Sequence, residues 1–221
     1  LLRVPDLKSA WLLLFCAAAR ANHMLRLLPP TASEEYAISH DAAVWQALCE
    51  LMAQERLKES AGPLAQRTRH LATLPGRMGG LGLHSAVRSA HGAYWASWID
   101  ALPVMSARAP AMVARIVGAL RDEESQPPEC LAEARDAAAR LIGEGLEDPP
   151  TWEQALQGAH PPKGQGTVEE PGIGFHGWQY HACCATYTTF SQHHFQPSLG
   201  PRHRALLHSQ SGPLAARAFT A

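Results

Sequence analysis

The chain has 221 residues, is 46% hydrophobic and 18% charged, and carries a formal net charge of −1. That length suits one large domain or two small ones, and near-neutrality excludes a global electrostatic pull toward nucleic acid or a membrane surface. The charge is unevenly spread: residues 1–100 hold ten Lys/Arg against eight Asp/Glu, 101–172 six against twelve, and 173–221 three against none, with six of the twelve histidines.

Asp6 can cap a first helix running to about Leu28, where Pro29-Pro30 stops it. Ala10 to Ala19, AWLLLFCAAA, has the look of a signal-peptide core, but Asp6 upstream argues against that. Ten residues are also too few to span a bilayer, so a buried amphipathic helix is expected. Thr31 with Glu34 suggests a capping box for a second helix whose buried face is Ile38, Ala42, Trp45, Cys49 and Met52. Gly62-Pro63 ends it and opens a short third helix to about Leu74.

Next comes LPGRMGGLGLHSAVRSAHGAYWASWIDALP, residues 74–103. The Gly79-Gly80-Leu81-Gly82 turn permits positive φ and close backbone approach. Ser85 offers an N-cap to a helix carrying Ala90, Tyr94, Trp98 and Leu102 on one face. Trp11, Trp45, Trp95 and Trp98 are expected in one core over Leu1 to about Leu120. Pro103 and Pro110 bracket a loop, followed by a helix over Ala111–Arg121 and an acidic linker over Asp122–Pro128. A helix over Glu129–Ile142 is closed by Gly143 and Gly145, and Thr151 with Gln154 starts another.

Gly158 to Gly174 lacks periodicity and is the best linker. Trp178–Phe195 reads as a mixed aromatic helix, although Ala185–Phe190 is the nearest thing to a strand. Pro201–Ser209 and Pro213–Phe219 read as two short helices. The whole is a mainly α protein: an irregular helical bundle with long Pro/Gly-rich linkers and a small helical C-terminal piece. Its blocks are a helical domain over 1–121, an acidic helix plus linker over 122–174, and a His-rich helical segment over 175–221.

Little in the chain resembles a reaction centre. Residues 172–177, GIGFHG, match a dinucleotide-binding spacing, but no Asp or Glu follows to the end of the chain. The Gly76–Gly82 turn lacks the Gly-Lys-Ser/Thr of a phosphate loop. His181, Cys183, Cys184, His193 and His194 match no standard zinc spacing, and adjacent cysteines on a helix diverge by about 100°. No Asp-Asp pair is present to bind two metals, and no hydrolase elbow occurs. No catalytic or metal-ligating residue is therefore expected.

The five cysteines, Cys16, Cys49, Cys130, Cys183 and Cys184, form no CxxC and suggest a reducing compartment, nuclear or cytoplasmic. Arg56, Lys58, Arg67, Arg69, His70, Arg77 and Arg88 make the strongest basic interval. Such an interval reads most simply as a solvated helix face; beside the Trp helix, it also suggests a surface that tracks a nucleic-acid backbone. The expected contacts are Arg67, Arg69, Arg77 and Arg88, with Gly79, Gly80 and Gly82 letting phosphate approach the backbone amides of the Ser85 helix start.

Four segments, in order, resemble the region beyond the polymerase core of non-LTR (LINE-type) retrotransposon reverse transcriptases. They are PDLKSAWLLLFCAAARANHMLRLLPP (5–30), the Gly79–Trp98 block, Gly177-Trp178-Gln179 with Ala182, and LLHSQSGPLAARAFTA (206–221). Residues 122–174 carry no such signal and read as a variable insertion. The resemblance implies thumb-like and connector helices of an RNA-directed DNA polymerase. Its catalytic aspartates and their Mg2+ would belong to a core upstream of Leu1, so this piece needs no cofactor of its own. It implies RNA or an RNA–DNA hybrid as partner, together with that core, and no membrane. A helical protein-interaction module without nucleic-acid binding, or a decayed relic of such an element, is the competing reading.

Overall fold

The computed structural model describes residues 7–52, 62–122, 124, 126–161 and 177–212. These residues are mainly helical and contain no strand. They form two compact units. The first draws its residues from Leu1–His23, Glu34–Val87 and Tyr187–Ala221, the second from Met24–Ser33 and Arg88–Thr186.

Helices α1 (Leu7–Ala18) and α2 (Ala21–Leu27) replace the single expected helix. The chain tightens between them through i→i−3 bonds, Arg20 N–H to Ala17 C=O and Asn22 N–H to Ala19 C=O. Helix α3 (Pro30–Leu51) places proline in its first turn, where a missing N–H costs nothing. The expected Thr31–Glu34 capping box does not form: Thr31 donates its hydroxyl and its N–H to Glu133 instead.

In the first unit α3 buries Val44, Trp45, Leu48 and Cys49 against Leu14 and Ala18 of α1, Ala72 and Leu83. The expected face of α3 is therefore corrected. Trp45 and Cys49 are in it, whereas Ile38, Ala42 and Met52 are exposed. Helix α4 (Pro63–Thr73) leads into a 3₁₀ turn, Gly76–Met78, and the glycine turn.

Helix α5 (Ala86–Arg108) runs through Pro103, which was expected to begin a loop. Leu102 is fully buried and Met105 packs on the same cluster, so apolar burial on both sides holds the helix together across the proline. In the second unit Trp95, Ile99 and Leu102 meet Val113 and Val117 of α6 (Pro110–Arg121) and Ala137 and Leu141 of α7 (Glu129–Gly143). Trp178 and Ala182 of α9 (Trp178–Thr189) complete that cluster. Helix α8 (Trp152–Leu156) has the capping box expected of Thr151 and Gln154.

The tryptophans do not share one core. Trp45 belongs to the cluster of the first unit, Trp95 to that of the second, and Trp98 is half-buried beside Tyr94. The Trp11 side chain lies outside what the structure describes.

Past Thr189 the helix widens into a π-helix, Phe190–Phe195, so the Ala185–Phe190 strand candidate is helical. A 3₁₀ turn (Gln196–Ser198) and α10 (Pro201–Gln210) follow. Most of the Gly158–Gly174 linker and the expected Pro213–Phe219 helix lie outside the described residues.

Candidate functional site

The glycine turn is a packing device. Gly79 and Gly82 have φ of +81° and +74°, a region that L side chains rarely adopt. A Cβ on Gly80 would stand 2.1 Å from the Leu74 carbonyl oxygen, and one on Gly79 2.8 Å from that of Leu207. The amides turn inward. Leu81 N–H donates to Leu71 C=O, Leu83 N–H to Ala72 C=O and Gly82 N–H to Leu74 C=O. Two of these carbonyls, Leu71 and Ala72, belong to the last turn of α4, so the turn helps to cap its C-terminal end. Met78, Gly79 and Gly80 donate to Pro75, Gly76 and Pro75 carbonyls.

The start of α5 is likewise occupied. Asp41 of α3 accepts the Ser85 hydroxyl at 2.6 Å, the Ala86 N–H at 2.7 Å and the Val87 N–H at 3.4 Å. Ser85 N–H donates to the Tyr187 hydroxyl oxygen at 2.9 Å. An intramolecular carboxylate thus fills the positive end of the helix where a phosphate was expected. This corrects the anticipated mode of contact: neither the turn amides nor this helix start forms an open anion cradle.

Of the expected cations, Arg67 and Arg69 are half-buried on α4. Two residues apart, they diverge by about 160° around the helix and do not share a face. Arg67 Nε donates to Pro63 C=O at 3.2 Å. Arg77 sits in the 3₁₀ turn and Arg88 belongs to the second unit. Arg56 and Lys58 lie outside the described residues.

Two concavities in the first unit were not legible in the sequence. One, about 310 Å³, is an apolar groove between α4 and α10 lined by Leu64, Leu71, Phe195, Leu199 and Leu206, with Arg67 and His203 also along it. Leu64 and Leu206 are 66% and 49% exposed there. The other, about 170 Å³, is mixed in character and shares Leu207 with the groove. Arg77, Met78, Ser191, Gln192, Gln196 and His208 are among the described residues that line it. The π-helix supplies Ser191 and Gln192, and Phe190 at its start packs edge-on against His70.

Burial pushes the Cys183 thiol up to about 11, with a nearby Ser89 hydroxyl only partly opposing this. Among the described residues no group of three or more His, Cys, Asp or Glu side chains could hold a metal ion, and no helix is long and apolar enough to cross a membrane.

In the second unit burial, and secondarily the Arg140 charge, holds His91 below its ordinary value of 6.5, although Glu144 and Glu133 oppose the shift. A histidine held low contributes stability that is complete above pH 6.5 and is lost as pH falls through its folded value. Thermal melts should therefore fall as the pH drops below about 6.5. His91→Gln should shallow that fall; equal slopes in both proteins would contradict the assignment.

No protein-family model matches the chain, and neither a curated protein nor a solved structure matches it.

Proposed function

We propose that this chain is a non-catalytic helical piece of an RNA-directed DNA polymerase of the retroelement type, helping to hold template RNA or an RNA–DNA hybrid. One observation carries the reading: the separated segments that resemble that family are one another's packing partners. Within the second unit Arg26 of the first segment donates to Gln179 of the third at 2.9 Å and pairs with Asp100, just past the second, at 2.8 Å. Trp95 of the second meets Trp178 of the third edge to face at 5.8 Å, and a Cβ on Gly92 would stand 3.1 Å from Ala182. Within the first unit Gly79 of the second segment lies against Leu207 of the fourth, and Gly212 N–H donates to Arg77 C=O. Residues that depend on each other for packing have a physical reason to occur together in one chain.

With the turn amides consumed, contact with phosphate falls to side chains. Binding should be weak and salt-sensitive, with little sequence preference, because phosphate contacts carry no base information. Fluorescence anisotropy of a labelled RNA against the whole chain tests it. Arg67→Gln alone should flatten the slope of log K against log salt by about 0.7 units for single strands. No nucleotide should be incorporated by this chain alone. Undetectable binding at low salt overturns the reading. A helical protein-interaction module then takes its place, a reading that the open apolar groove with Leu64 and Leu206 exposed already favours.

A further inference from the structure

We propose that the apolar groove between α4 and α10 is a docking site for an amphipathic helix of a protein partner, one with aliphatic side chains on one face and carboxylates beside them. Its two walls are helical stripes. On α4 the lining residues Leu64, Arg67, Thr68 and Leu71 are spaced i, i+3, i+4, i+7. On α10 His203, Leu206, Leu207 and Gln210 repeat that spacing. The spacing marks one face of a helix, so two helices present rows of side chains to the same concavity. A third helix is the element whose own ridges fit between two such rows.

The groove has a closed floor and an open rim. Phe195 and Leu207 are buried at its base, whereas Leu64 and Leu206, one on each wall, are exposed. Exposed leucines gathered along one concavity mark a surface that gains from being covered, as single scattered ones do not. The polar groups of the α4 wall are partly spent within the helix. Thr68 donates its hydroxyl to Leu64 C=O at 2.8 Å, and Arg67 Nε donates to Pro63 C=O at 3.2 Å. The second bond uses one guanidinium donor and leaves the terminal amino groups of Arg67 for a carboxylate.

Charge selects the flanks of the occupant. The described lining includes Arg67 and His203 and no acidic residue. Residues 60–99 and 171–221, which supply both walls and the floor, contain four and three arginines and no Asp or Glu. Among the described residues no carboxylate pairs with Arg67, Arg202 or Arg204. A helix bearing Asp or Glu beside its apolar face meets complementary charge here, and a basic one is repelled. Two other occupants fit less well. Nucleic-acid bases stack on exposed aromatic rings, but Phe195 is buried and the rim is leucine. A small ligand is enclosed over most of its surface by its cleft, whereas this concavity of about 310 Å³ stays open along Leu64 and Leu206.

The inference does not rest on the nucleic-acid reading, and its test turns on leucines that reading does not use. The probe is a fluorescein-labelled peptide of about fifteen residues, with leucine at i, i+3, i+4 and i+7 and glutamate beside them. Anisotropy against the whole chain should show binding, and a scramble of the same composition should bind about tenfold more weakly or worse. Leu64→Gln and Leu206→Gln should each weaken the peptide by about fivefold, the scale of losing half of a leucine's burial. Leu206→Glu, which sets a carboxylate against those of the peptide, should weaken it by about tenfold or more. Ile142→Gln, an exposed apolar side chain of α7 outside the groove, should change it by less than about twofold. Should Leu206→Glu melt lower than wild type, the two glutamine variants, on different helices, decide. No binding, equal binding of the scramble, or leucine variants no weaker than Ile142→Gln overturns the docking site. So does tighter binding of dodecanoate than of the peptide, which assigns the groove to a small amphipathic carboxylate. Self-association of the chain that Leu206→Gln abolishes assigns it to a second copy and overturns the proposal as well. RNA affinity should be equal in wild type and both glutamine variants. If RNA does not bind but the peptide binds through the leucines, the groove stands and the nucleic-acid reading falls.

Discussion

Gly80→Ala is expected to cost about 3 kcal/mol or more, enough to consume a large part of an ordinary folding free energy. The reason is steric. The new methyl would stand 2.1 Å from the Leu74 carbonyl oxygen and 2.4 Å from the Leu74 Cβ, and the nearest of these atoms belongs to the backbone. Leu74 cannot retreat cheaply, because it is fully buried and its carbonyl accepts the Gly82 N–H. Two further glycines calibrate the measurement. Gly82→Ala puts its methyl at an ordinary 3.4 Å from Phe15 but keeps φ at +74°, so it should cost about 1–2 kcal/mol. Gly118, on α6 with open space around it, should accept alanine with a gain of about 0.5–1 kcal/mol. Urea denaturation of the three variants gives the order. A Gly80→Ala protein as stable as Gly118→Ala would refute the packing account of the turn.

Asp41→Ala should be the most damaging single change to a polar group, at about 3 kcal/mol. One carboxylate satisfies the Ser85 hydroxyl and two N–H groups at the head of a 23-residue helix, where its negative charge also opposes the positive end of the helix dipole. Ser85 is buried, so water cannot simply replace the lost acceptor at its hydroxyl. The His40 Nδ1, buried 3.8 Å from the same carboxylate, would lose its neighbouring charge as well. Asp41→Asn keeps an acceptor oxygen and loses the charge, and should fall between wild type and Asp41→Ala. If thermal and urea unfolding rank Asp41→Asn with Asp41→Ala, charge rather than hydrogen bonding dominates. If neither variant shifts the midpoint, the carboxylate is not the cap.

Several helices were legible because their signals are local. Pro63 in a first turn, the Thr151–Gln154 box and the Ala-rich run of α7 act within a few residues of themselves. Faces and caps that depend on distant partners were not. Thr31 had a cap of the right spacing three residues away, yet Glu133 competes for the same hydroxyl. The buried face of α3 is rotated from the reading of Ile38, Ala42 and Met52, because α1 and the loop at Leu83 meet it at Val44 and Leu48 instead. Pro103 marks a helix end on local grounds, but burial of Leu102 carries α5 past it.

The candidate site divides in the same way. That Gly79, Gly80 and Gly82 serve close approach followed from glycine's lack of a side chain, a property any sequence displays. What approaches them did not follow: Leu207 lies more than a hundred residues away, and nothing local ties it to the turn. By itself the sequence determined a mainly helical chain, because alanine content, proline placement and apolar period act over a turn or two. Only the tertiary structure decided that Asp41 occupies the helix start, that the turn amides face inward, and that Arg77 and His208 line one concavity. Those outcomes depend on which distant groups arrive first at a limited number of donors and acceptors, and periodicity along the chain carries no information about that competition.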